Sequence, residues 1–75
     1  MPRFFFNIDS ERPDTEGVEL ADSKKARGEA IRAAGEMLRD IDGHLTAKDW
    51  VMVVKDEGGE FVLELRFSVR EAAAP

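Results

Sequence analysis

Apolar residues change their spacing three times along this chain, and each change marks an element. From Arg3 to Ile8, Phe4, Phe6 and Ile8 alternate with Phe5 and Asn7. A period of two is the signature of a strand with two different faces. Asp9 to Gly17 is polar and carries Pro13 and Gly17, so it reads as a loop. Val18 to Leu20 forms a short extended lead into a helix.

The helix is expected from about Ser23 to Ile41. Ala26, Ala30, Ala33, Met37 and Ile41 recur at spacings of three and four, and Ile31, Ala34 and Leu38 widen the stripe. Asp22 or Ser23 can cap its start with a side-chain oxygen. Asp42-Gly43 is expected to end it, with the glycine in a left-handed C-cap. His44 to Asp49 is then a connector.

Two further strands follow, Trp50 to Lys55 and Phe61 to Ser68, around the turn Asp56-Glu57-Gly58-Gly59-Glu60. Phe61, Leu63, Leu65 and Phe67 alternate with Val62, Glu64 and Arg66. The expectation is an α+β fold of order β-α-β-β, with one helix on a three-stranded antiparallel sheet. Spatial order 1-3-2 is preferred, because the last strand has the cleanest alternation. A right-handed crossover would instead set the first strand parallel to the second. Residues 1–70 make one domain, and residues 71–75 a small-residue tail.

On this reading Phe4, Phe6, Ile8, Trp50, Met52, Val54, Phe61, Leu63, Leu65 and Phe67 face the helix. Phe5, Val51, Val53 and Val62 then lie on the opposite face, among Asn7, Glu64 and Arg66. A two-layer domain leaves that face open to water. Those four apolar residues are the candidate interface.

Composition sharpens this expectation. A 75-residue chain builds a core worth roughly 3–5 kcal/mol unless something supports it. There is no cysteine, so neither disulfides nor thiolate metal sites can help. One histidine cannot make an imidazole-rich metal site. Self-association, as a dimer, is the support left open. No signal-peptide or membrane-span pattern is present, and a cytoplasmic setting is expected.

The candidate chemistry is sparse. Lys24, Lys25, Arg32 and Arg39 share an exposed helix face; Lys25, Arg32 and Arg39 are the candidate anion or nucleic-acid contacts. The net charge of -5 opposes a phosphate backbone, and pairs such as Lys25-Glu29 and Arg32-Glu36 favour reading it as a solvated face. Asp9, Glu11, Asp14 and Glu16 lack the spacing of a calcium loop and read as the acids of a solvated loop. His44 has Asp42 and Asp49 near it in sequence only, and no serine or threonine sits in a nucleophile motif. Gly58-Gly59 belongs to a hairpin and not to a phosphate loop. No catalytic residue, metal or cofactor is expected. The leading expectation is a non-enzymatic interaction module, with anion or nucleic-acid binding as the alternative.

The opening Met1-Pro2-Arg3-Phe4-Phe5-Phe6-Asn7-Ile8 resembles that of the DUF6894 family of small bacterial proteins. So do Asp14-Thr15-Glu16-Gly17-Val18-Glu19-Leu20, the helix with Ala26 and Glu29-Ala30, and the hairpin from Asp49-Trp50 to Phe67. Asn7 stands where the family often has His. The resemblance implies a fold and a bacterial cytosolic setting, and brings no catalytic residues.

Overall fold

The computed structural model describes residues 1–8, 13–40, 49–70 and 72. The elements are β1 (Arg3–Ile8), β2 (Val18–Glu19), α1 (Ser23–Asp40), β3 (Asp49–Asp56) and β4 (Phe61–Ser68). The sheet has four strands in the order β2-β1-β3-β4, and every neighbouring pair is antiparallel. The α+β class stands. The expected three strands and the order 1-3-2 do not.

The physical reason is one extra reversal. Val18 pairs with Phe4 and Glu19 with Arg3, so β2 carries the chain back to the start of β1 before the helix begins. Leu20 N–H donates to the Pro2 carbonyl at 3.0 Å and fixes that return. The helix therefore crosses from the Phe4 end of the sheet, and β3 returns antiparallel to β1, with Ile8 opposite Met52 and Phe4 opposite Asp56. β2 and β3 run the same way with β1 between them, a split β-α-β arrangement.

Strand β3 is central for a reason visible in its side chains. Trp50 to Val54 is an unbroken apolar run, the pattern of a strand covered on both faces. Val51, Met52 and Val54 are buried. The clean alternation of β4 belongs instead to an edge strand with one wet face.

The helix starts where its cap predicts. Asp22 Oδ1 accepts from Lys25 N–H at 2.9 Å, and the Asp22 carbonyl accepts from Ala26 N–H at 3.1 Å. The buried stripe is Ala26, Ala30 and Ala34. Small side chains at i, i+4 and i+8 let the helix lie close to the sheet. Ala26 and Ala30 join Phe4, Ile8, Met52 and Val54 in one core cluster, with Phe6, Leu20, Ala33, Trp50, Val62, Leu63 and Leu65 packed around it. Met37 and Ile31, expected within the stripe, are exposed. Gly28 and Gly35 face open space. Ile41, Asp42, Gly43 and His44 lie outside the described residues, as does most of the 71–75 tail.

The hairpin closes through one carboxylate. Asp56 Oδ1 accepts from Gly58 N–H and Glu60 N–H, each at 2.9 Å. The Asp56 carbonyl takes Gly59 N–H at 3.0 Å, and Gly59 supplies the positive φ of 81°. The register then slips: Val54 faces Leu63 but Lys55 faces Phe61, so Val62 is an extra residue in β4.

Candidate functional site

The slip at Val62 redraws the outer face. Cross-strand partners point to the same side of a sheet. Lys55 has Phe5 as its partner on one side and Phe61 on the other, and Val53 has Asn7 and Glu64 in the same way. Phe61 is therefore on the face away from the helix and is 63% exposed. Val62 packs against the core cluster instead. The two residues have exchanged the positions expected of them.

The four expected interface residues consequently have different surroundings. Phe5 and Val53 are half-buried on the outer face. Val51, partner of Arg66 on that face, is only 8% exposed. Val62 has left the group. The exposed apolar surface of the outer face centres on Phe61.

One end of that face is built by Asp14. Its Oδ2 accepts from Phe6 N–H at 3.0 Å, and its Oδ1 from Gly17 N–H at 3.0 Å and Glu16 N–H at 3.2 Å. Asp14 N–H donates to Asn7 Oδ1 at 2.9 Å. Partial burial works against the charge, but the amides of Gly17, Phe6 and Glu16 outweigh it and hold the carboxyl below its ordinary value. Gly17, at φ 68°, then presses the loop against Arg3 and Phe5. Arg3 reaches over it, donating to the Glu16 carbonyl at 2.7 Å and pairing with Glu19 at 2.8 Å. Asp14 is a structural clamp where a solvated loop acid was expected. The D-x-x-G spacing of a side-chain-capped turn is the signal that marks it. Asp9 and Glu11 lie outside the described residues.

The clamp also seals one border of the sheet. β2 covers Arg3 and Phe4, and the Asp14 carboxylate takes the amide of Phe6. At the other border, β4 is the terminal strand. Its helix-side row, Leu63, Leu65 and Phe67, is only half-buried. Phe67 packs on Trp50 with ring centroids 5.4 Å apart. On its outer side, Arg66 pairs with Glu64 at 3.3 Å.

At the centre of the basic helix face, Arg32 is held between two carboxylates. Arg32 donates to Glu29 and, at 3.1 Å, to Glu36. These carboxylates, Glu29 first, raise its guanidinium above the ordinary value. Lys24, Lys25, Gly28, Glu29 and Arg32 line a shallow open depression. Lys25 and Arg39 are exposed on the same helix. Among the described residues, no group of three or more His, Cys, Asp or Glu side chains is placed to hold a metal. No described helix is long and apolar enough to cross a membrane.

These features define a small α+β domain with one sealed sheet border and one that is open among the described residues. The chain belongs to the DUF6894 family, a domain of unknown function, which matches residues 3–68. No curated protein and no solved structure matches it.

Proposed function

We propose that this chain is a small, non-enzymatic protein-interaction module that acts in the cytoplasm and whose first partner is a second copy of itself, met through the sheet. The observation that carries this is the incomplete cover of the sheet's apolar side chains. Met52 and Val54 are the largest fully buried side chains, while Phe61 is 63% exposed. Leu63, Leu65 and Phe67 are half-covered on the other face. Association would bury this surface, at about 25 cal/mol per Å² of apolar area. It would also add to the stability of a core this small.

The absence of cysteine and of a nucleophile motif in the sequence supports a non-enzymatic role. Anion binding at Lys25, Arg32 and Arg39 is less favoured, because Glu29 and Glu36 already engage the central Arg32. Sedimentation velocity over a concentration series from low to high micromolar tests the reading. A concentration-dependent dimer is expected. A monomer throughout the series would overturn it.

A further inference from the structure

Resting on that reading, we infer that the second copy docks edge to edge. Strand β4 of each chain would pair antiparallel with β4 of the other about a two-fold axis through Leu65. A long unpaired strand edge is a template for further pairing, and proteins guard such edges with proline, lysine or an inward charge. β4 has neither proline nor lysine between Phe61 and Ser68. Its irregularity, at Val62, sits at one end and leaves the following stretch regular. Its charges are Glu64 and Arg66, of opposite sign, two apart and on one face.

A two-fold axis normal to the sheet pairs residues of the same face. Two registers give the longest overlap of β4 with itself. One, centred on Glu64, sets Glu64 against Glu64 of the second copy and draws the irregular Phe61-Val62 step into the pairing. The other, centred on Leu65, sets Glu64 against Arg66 of the second copy, twice by symmetry. It also sets Leu65 on Leu65 and Leu63 on Phe67, joining the two half-buried apolar rows. Opposite charges directly across a strand pair are favourable and like charges are not. The product is one continuous sheet with both helices on the same side. Its main-chain bonds are those of strand addition.

Charge reversal tests this register. Glu64→Arg alone sets arginine against arginine, and Arg66→Glu alone sets glutamate against glutamate. Each is expected to weaken the homodimer about tenfold or more, with the circular dichroism spectrum unchanged. An equimolar mixture of the two variants is expected to form a heterodimer. The double variant Glu64→Arg/Arg66→Glu is expected to recover the homodimer. A wild-type dimer indifferent to both reversals, or variants that dissociate but do not associate on mixing, would overturn the edge register and leave self-association standing. A wild-type monomer would overturn both.

Discussion

Asn7 and Asp14 fasten β1 to the segment that follows it. The Asn7 side-chain oxygen accepts the Asp14 amide at 2.9 Å, while the Asp14 carboxylate accepts the amide of Phe6 at 3.0 Å. Two neighbouring residues of the strand are thus bound to one loop residue. With Gly17 and Glu16 on its other oxygen, this carboxylate organises the return of the chain toward β2. Asp14→Ala should therefore cost about 2 kcal/mol, since it strands amide donors that a charged acceptor had satisfied. Urea denaturation at neutral pH measures it. A loss within experimental error would show that water replaces the carboxylate without penalty.

The same clamp has a pH signature. The Asp14 carboxyl is lowered in the folded chain. A depressed folded value means that its stabilisation is complete above the unfolded value, about 3.9. It is then lost as pH falls through the folded value. Asp14→Asn does not titrate. The stability gap between wild type and this variant should be widest near neutrality and should narrow below about pH 4. Urea midpoints at pH 7, 5, 4 and 3 would follow it. A gap that widens on acidification would contradict the assignment.

Glycine substitutions should split in sign. A Cβ on Gly17 would fall 2.8 Å from Arg3 Cγ and from the Phe4 carbonyl oxygen, and 2.9 Å from Phe5 Cε1. Its φ of 68° adds backbone strain to the collision. Gly17→Ala should cost about 2–3 kcal/mol. Gly28 and Gly35 stand in the helix with nothing within 4 Å of an added Cβ. Gly28→Ala and Gly35→Ala should each add about 0.5–1 kcal/mol. Thermal and urea unfolding of the three variants would show whether the ranking holds.

Long periodic segments were legible in the sequence and short or irregular ones were not. The alanine spacing and Asp22 located the helix and its start, and Asp56 with Gly59 located the hairpin. β2 has two residues, too few for any period to show, yet its reversal decides the strand order. The clean alternation of β4 suggested a central strand. Alternation instead reports one wet face, and the unbroken apolar run Trp50 to Val54 is the mark of the centre. Asp14 passed for a solvated acid because its partners are backbone amides, which composition cannot reveal. The outer face is legible in Phe5, Val51 and Val53 but not at Phe61 and Val62, where the register slips.

That slip supplies a contrast between adjacent residues. Strict alternation assigns Phe61 to the core and Val62 to solvent. The extra residue at Val62 reverses both, with Phe61 63% exposed and Val62 packed on the core cluster. Removing a large aromatic ring is ordinarily a severe change, but exposed positions usually respond within about 0.5 kcal/mol. Phe61→Ser should fall in that range, whereas Val62→Ala, though smaller chemically, should cost about 1 kcal/mol from lost burial. The comparison belongs at protein concentrations low enough that self-association contributes nothing. Hydrogen exchange of the hairpin amides would check that neither variant opens the turn held by Asp56. If Phe61→Ser proved the more damaging of the two, β4 would keep its alternation through Phe61, and the outer face would lose its most exposed apolar residue.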